Sequence, residues 1–159
     1  TCKWVREILD EIESDIESEE DFTGKPGFLG VHLYIQKKKT GSYGDHLVVA
    51  GRITTDYTAP CVRCLEPAEE SSDLEFGAAY LNQHFEKMEE FQESSHIYIG
   101  QEELELYFHE KGKVDIKELV REQLYMELEP LPVHDPNCKG LCQVCGVNLN
   151  NEECTHKNQ

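Results

Sequence analysis

Long hydrophobic runs are missing from this sequence. No stretch approaches the about 18 apolar residues that a membrane-spanning helix requires, and the chain does not open with a secretory signal. We therefore expect no membrane contact and a reducing compartment, where disulfides rarely persist. Because the chain begins with Thr1 and not with methionine, we expect that an N-terminal tag or targeting peptide has been lost.

Basic residues are also scarce. The chain has 15 lysines and arginines against 32 aspartates and glutamates, which gives a formal net charge of −17. Such a chain repels a phosphate backbone, so any contact with nucleic acid must be local or indirect. A P-loop, a dinucleotide-binding glycine pattern and a nucleophile elbow are absent as well. No small-molecule substrate is evident, and we expect no enzyme of these classes.

Potential metal ligands crowd the C-terminal tail, which reads HDPNCKGLCQVCGVNLNNEECTH. Two cysteines with two residues between them, followed by glycine, are typical of a zinc knuckle, in which a tight turn aims two thiolates at one ion. A cysteine and a histidine further on would complete a tetrahedron, and one more cysteine upstream could replace that histidine. The candidate ligands of this tail site are Cys138, Cys142, Cys145, Cys154 and His156.

Disulfides and inert thiols are the alternatives for this tail. Seven cysteines are an odd number without a regular disulfide framework, and a chain of 159 residues can bury a core without covalent links. Both facts favour zinc.

A second cysteine pair, Cys61 and Cys64, falls at the predicted tip of a turn between two strands. It could be half of a metal site, a pair of structural thiols or a redox couple. A redox couple normally opens a helix after a strand, because the helix terminus lowers the thiol pKa. Pro67 and the strand-like residues after it argue against the redox alternative, whereas the other two stay open.

The body of the chain shows strand periodicity. Alternating apolar residues predict strands at 29–35, 46–59 and 72–81, and a further strand at 97–99 or 104–108. Since polar residues occupy the other positions of the second strand, one face should be wet and the sheet antiparallel. The polar segment 82–95 should be a mobile excursion with one short amphipathic turn.

Two helices are predicted beside this sheet. The first has an apolar stripe and nine acidic residues between Glu7 and Asp21, which are either a solvated face or a docking surface for a basic partner. The second begins at Asp115 with Glu118 in a capping box and should cover the dry face of the sheet. Their stripes are Trp4, Val5, Ile8, Leu9, Ile12 and Ile16, and Ile116, Leu119, Val120, Leu124 and Leu128.

These patterns predict an α+β fold: an antiparallel β-sheet, a meander, covered by helices and followed by a zinc-binding tail. The predicted domains are an acidic helix and loop at 1–25, the sheet and helix body at 26–132, and the zinc-knuckle tail at 133–159.

Three segments together resemble a known family. CVRCLEP at 61–67, VDIKELVREQLYMELEPLP at 114–132 and CKGLCQVCGVNL at 138–149 are similar to the YceD-like family of large-subunit ribosomal RNA accumulation proteins. The resemblance implies a ribosome biogenesis factor of the bacterial cytoplasm, or of a plastid if a transit peptide was removed. The cysteine-rich members have cysteine at the places of His134 and His156, and histidine keeps a zinc ligand at both.

Eight candidate ligands are enough for two tetrahedra. A second site could join Cys61 and Cys64 to His134 and Cys138, although its halves lie about seventy residues apart and the sequence does not show that they meet. One or two Zn²⁺ ions are therefore expected. Both ligand shells would be closed, so that the ions are structural and not catalytic.

These features favour a non-catalytic assembly factor whose acidic surface binds a ribosomal protein or a pre-ribosomal particle. The first alternative is a thiol oxidoreductase that uses Cys61 and Cys64. The second is direct binding of RNA by a basic cluster, which the overall charge disfavours. That cluster would consist of Lys37, Lys38, Lys39, Arg52 and Arg63.

Overall fold

The computed structural model describes residues 2–16 and 24–156. It contains two α-helices, five β-strands and two 3-10 helices between the third and fourth strands. In chain order they are α1 (Lys3–Ile16), β1 (Phe28–Thr40), β2 (Gly44–Pro60), β3 (Pro67–Asn82), the 3-10 helices Gln83–Lys87 and Glu89–Phe91, β4 (His96–Ile99), β5 (Glu102–His109) and α2 (Ile116–Glu127).

The five strands form one sheet in the order β1-β2-β3-β5-β4. β5 pairs in parallel with β3, with Ala78 opposite Glu105, and β4 pairs antiparallel with β5. The expected antiparallel meander is therefore wrong in part, because the sheet is mixed. The connection between β3 and β5 is long enough for a parallel crossover, and Gly100, with φ of 72°, makes the tight turn from β4 to β5.

Two compact units divide the chain. The first consists of Thr1–Leu29, Thr55–Ser72 and Leu128–Gln159, and the second of Gly30–Thr54 and Asp73–Glu127.

The second unit buries both faces of its part of the sheet. Val49, Ala78 and Tyr80 pack with Leu119 of α2, whereas Val48, Ala79 and Leu81 pack in another cluster with Phe85 and Phe91. Neighbouring residues of a strand point to opposite faces, so these two clusters lie on the two sides of the sheet. The expectation of a wet face is wrong here, since the 3-10 segment covers the side that α2 does not.

Helix α2 begins as its sequence predicts. The Oδ1 atom of Asp115 accepts a hydrogen bond of 3.0 Å from the backbone N–H of Glu118, which satisfies one of the open donors of the first turn. Leu119, Val120 and Leu124 of the predicted stripe are buried.

Helix α1 belongs to the first unit. Four residues of its predicted stripe are buried, and Glu13 accepts a hydrogen bond of 2.7 Å from the N–H of Gly27. The acidic segment was predicted to continue to Asp21, and the part of it after Ile16 lies outside the described residues. The buried residues of α1 are Val5, Ile8, Leu9 and Ile12.

Among the described residues, no helix is long and apolar enough to cross a membrane.

Candidate metal centres

Two groups of four potential ligands lie in the first unit. In each group the ligand atoms are all within 4.8 Å of one another. Cluster 1 is mostly buried, since its three cysteines are buried and its histidine is half-buried, whereas cluster 2 is largely accessible to solvent. Cluster 1 consists of Cys61, Cys64, His134 and Cys138, and cluster 2 of Cys142, Cys145, Cys154 and His156.

The first two ligands of cluster 1 are held by a tight turn at the end of β2. The N–H of Cys61 donates to the carbonyl of Glu66 at 2.8 Å, and the N–H of Leu65 donates to the carbonyl of Cys61 at 2.8 Å. Leu65 has a left-handed backbone with φ of 64°. This turn, Cys61 to Glu66, is the first knuckle.

The first two ligands of cluster 2 are held by a turn with the same hydrogen bonds. The N–H of Cys142 donates to the carbonyl of Val147 at 2.8 Å, and the N–H of Gly146 donates to the carbonyl of Cys142 at 2.8 Å. Gly146 has φ of 74° and takes the place that Leu65 has in the other turn. This turn, Cys142 to Val147, is the second knuckle, and the chain thus contains two knuckles of one design.

The tail pairs with the first knuckle through its backbone. The N–H of Leu141 donates to the carbonyl of Arg63 at 2.9 Å. The Arg63 guanidinium donates in turn to the carbonyls of Pro136 and Cys138 at 3.1 and 3.2 Å. These bonds explain how ligands far apart in sequence meet in cluster 1.

A carboxylate of the first knuckle also holds the tail. One oxygen of Glu66 accepts hydrogen bonds from the side chains of Asn148 and Asn151 at 2.8 and 2.7 Å. A third asparagine, Asn150, donates to the sulfur of Cys138 at 3.3 Å and so helps to orient this candidate ligand. From the sequence alone these asparagines are typical of a turn, and nothing there marks them as contacts of Glu66 or Cys138.

Gly140 of the tail lies directly against the first knuckle. Its φ is 75°, and an added Cβ would lie 3.0 Å from the carbonyl oxygen of Arg63. We expect Gly140→Ala to lower the free energy of unfolding by about 1–2 kcal/mol through the left-handed backbone alone, and further through this contact. Denaturant unfolding of the variant beside Gly41→Ala, whose Cβ would meet nothing within 4 Å, checks the effect. Equal stability of the two variants would contradict it.

Both clusters have the donor atoms and spacing that suit a tetrahedral zinc ion. Bonds of about 2.3 Å to sulfur and about 2.0 Å to nitrogen put neighbouring ligand atoms roughly 3.5–3.8 Å apart. In cluster 1, the Cys61 and Cys138 sulfurs are 4.0 Å apart, and the Cys64 sulfur is 3.2 Å from Nδ1 of His134. The residues therefore fit a metal.

The corresponding separations in cluster 2 are similar. The Cys154 sulfur lies 3.3 Å from the Cys142 sulfur, 3.5 Å from the Cys145 sulfur and 3.2 Å from Nδ1 of His156. Three cysteines and one histidine are a common donor set of closed structural zinc sites.

The thiols of cluster 1 differ in acidity. Burial alone would raise the pKa of Cys61, but hydrogen bonds from His134 and from backbone N–H groups outweigh it and lower that pKa to about 6. Burial and the neighbouring sulfurs of Cys138 and Cys61 raise the pKa of Cys64 to about 12. Binding of a metal would require deprotonated thiols and would release their protons.

The thiols of cluster 2 also differ in acidity. Backbone N–H groups of Cys145 and Val144 lower the pKa of Cys142 to about 6. The N–H of His156 acts to lower the pKa of Cys154. Hydrogen bonding to Cys142 and burial outweigh this effect and raise that pKa to about 11.

The structure brings all eight predicted ligands together in two groups of four. Cys138 lies with Cys61, Cys64 and His134, and not in cluster 2 as a replacement for His156. That the clusters bind zinc stays a prediction. All seven cysteines are within the described residues, and none forms a disulfide. What the sequence did not show is that Cys61 and Cys64 form a knuckle, because Leu65 stands where glycine usually marks this turn.

Comparisons with known proteins agree on one family. A family profile described as large ribosomal RNA subunit accumulation protein YceD matches residues 49–159. A Zea mays protein named large ribosomal RNA subunit accumulation protein YCED homolog 1, chloroplastic, is 30% identical over an alignment of 125 residues that covers 67% of this chain and 43% of that protein. The Arabidopsis thaliana protein of the same name is 26% identical over an alignment of 148 residues that covers 82% of this chain and 44% of that protein.

The chain spans less than half the length of these two curated relatives. No solved structure gave a significant match. Because the family profile covers well over half of the chain, including every ligand of both clusters, the protein belongs to the YceD family of large ribosomal RNA subunit accumulation proteins.

Proposed function

We propose that this protein is a non-catalytic ribosome biogenesis factor that supports accumulation of the large-subunit ribosomal RNA. Membership of the YceD family is the observation that carries this proposal. The two plant relatives are named chloroplastic, and we expect this chain to act in a plastid or in the bacterial cytoplasm.

The proposed metal is Zn²⁺, one ion in each cluster. Four protein donors fill each shell, so that no position is left for a water or a substrate, and such ions stabilise structure without catalysing a reaction. In cluster 1 the ion would fix the tail to the first knuckle. The oxidoreductase alternative is disfavoured because Cys61 and Cys64 lie between two strands, share a cluster with His134 and Cys138, and do not open a helix.

The proposed partner is a basic ribosomal protein or a pre-ribosomal particle. The described residues of the first unit include 13 aspartates and glutamates against 5 lysines and arginines, a balance that attracts cations. Direct binding of RNA is less well supported, because several of the candidate basic residues have partners within the chain. Lys37 pairs with Asp45 at 2.7 Å, and Arg52 forms two hydrogen bonds to Asp73.

Capture of ribosomal components with and without nuclease tests the proposed function. Immobilised protein should retain the same large-subunit proteins after RNA is digested. If nuclease removes every ribosomal component, RNA is the ligand and the protein-binding proposal is wrong.

Charge reversal in the acidic N-terminal segment should slow association with that partner. Glu11→Lys, Asp15→Lys and Glu19→Lys change the formal net charge of −17 by six units, and Glu19 lies outside the described residues. Exposed charges are screened beyond about 8 Å near 0.15 M salt, so association should be fast at low salt and weaken steeply as ionic strength rises. Association rates with ribosomal proteins and with large-subunit RNA check this, since binding of RNA should become stronger.

A second triple variant provides the matched control. Glu89→Lys, Glu90→Lys and Glu93→Lys change the net charge equally, on exposed residues of the second unit. If both triple variants slow association alike, the effect is one of overall charge, and the acidic N-terminal segment is not the docking surface.

A further inference from the structure

An open apolar groove lies in the first unit beside cluster 1. Its cavity volume is about 450 Å³, within the about 300–1,000 Å³ typical of ligand sites. The end of α1, the end of β2, the first knuckle and the segment after α2 contribute its walls. Its apolar lining includes Ile16, Tyr57, Val62, Leu65, Leu128 and Pro132.

The first knuckle presents two exposed apolar side chains to this groove. Val62 is 49% exposed and Leu65 is 53% exposed. The backbone of Val62 is fixed, because its N–H donates at 2.9 Å to the carbonyl of Pro132, another residue that lines the groove. This wall is thus preformed and solvent-accessible.

Leu65 is an unusual choice for its position. A left-handed backbone is unfavourable for leucine and carries no such penalty for glycine, and the equivalent residue of the second knuckle is Gly146. The leucine side chain recovers little of that cost by burial, since more than half of it is exposed. A leucine that is unfavourable for the turn and largely exposed to water is explained if a partner covers it.

The charges around the groove indicate the kind of partner. Asp15 and Glu129 are the charged residues of the lining, and no lysine or arginine lies among the described residues that line it. A second copy of this chain would bring the same charge of −17 and be repelled. Cationic groups beside an apolar one would suit both the carboxylates and the groove.

We propose that this groove binds a large apolar side chain from a lysine- or arginine-rich segment of a partner protein, with Leu65 and Val62 as contact residues. The proposed function supplies the class of partner, a basic ribosomal protein, whereas the chemistry of recognition rests on the groove itself.

Two synthetic peptides test the groove directly. One is a short lysine-rich peptide with a single central phenylalanine, and the other has serine in place of that phenylalanine. The wild-type chain should bind the phenylalanine peptide more tightly by about tenfold or more, because burying one large apolar side chain contributes about 1.5–3 kcal/mol. Isothermal titration calorimetry at low salt measures both affinities.

Leu65→Asn is the informative variant, since asparagine tolerates a left-handed backbone and removes the apolar contact. It should reduce the preference for phenylalanine over serine to near unity without lowering the thermal midpoint of the protein. Val144→Asn is the matched control, because Val144 is 73% exposed on the second knuckle and does not line the groove. That variant should keep the preference of the wild type.

Three results would overturn the proposal: equal affinity for the two peptides, an unchanged preference in Leu65→Asn, or a wild-type dimer that Leu65→Asn dissociates. Failure of the proposed function would be seen separately. In that case ribosomal proteins are not captured at all, although the phenylalanine peptide still binds to the groove.

Discussion

Replacing Cys61 with serine is expected to lower the zinc content of the purified protein from two ions to one per chain. Cys61 is fully buried in cluster 1 and shares no cluster with the ligands of the second knuckle. A serine hydroxyl is a poor zinc ligand, and three remaining donors would hold the ion weakly. Elemental analysis of protein produced without added metal measures the stoichiometry.

Cys2→Ser is the matched control for this experiment. Cys2 is an exposed cysteine that belongs to neither cluster, so this variant should keep both ions. A wild-type stoichiometry near zero, with thiols that all react freely, would refute metal binding. Loss of both ions from Cys61→Ser would show that the clusters are not independent sites.

Truncation after Pro132 is expected to destabilise the first unit strongly. It removes His134 and Cys138, which complete cluster 1, and uncovers Cys61, Cys64 and Ala68. It also removes the tail residues that donate to Glu66. The two core clusters of the second unit draw on no residue of the tail, so their amides should keep their protection. Hydrogen exchange along the full and truncated chains measures both effects.

Cys145→Ser is the comparison for the truncated chain. It removes a ligand of cluster 2 only and leaves the backbone bonds between tail and first knuckle, so the first unit should keep most of its protection. If the truncated chain keeps the protection of the first unit, the tail is a separate appendage, and zinc in cluster 1 contributes little to folding.

The sequence was a good guide to helices and strands and a poor one to their arrangement. The apolar stripe around Leu124 and the N-terminal cap at Asp115 could be predicted because both depend only on residues within the helix and next to it. The pairing of β5 with β3 depends on which strand edge the crossover reaches, and periodicity carries no information about that. The segment with Phe85 and Phe91 was predicted as a mobile excursion with one short amphipathic turn, and its packing on the sheet was not expected because the surrounding residues are polar.

Of the two candidate metal centres, one could be predicted from local sequence and the other could not. Cluster 2 draws on two cysteine-containing segments within fifteen residues, and the glycine after Cys145 marks its turn. The sequence offered the four ligands of cluster 1 but did not show that they meet, since the contacts of this cluster join residues seventy or more positions apart. The first knuckle has the same hydrogen bonds as the second. The sequence does not reveal this similarity, because Leu65 stands at the position where the second knuckle has Gly146.

The separation of the ligands in cluster 1 also sets an order of assembly while the chain is being made. Cys64 and His134 are 70 positions apart, so at about 5–20 residues per second the ribosome needs roughly 4–14 seconds between them. During that interval the first knuckle has two thiols and no partner ligands. The four ligands of cluster 2, by contrast, lie within fifteen residues and follow the last ligand of cluster 1. The second knuckle therefore waits only briefly for the rest of its ligands, whereas the first knuckle waits until β3 to α2 have been made.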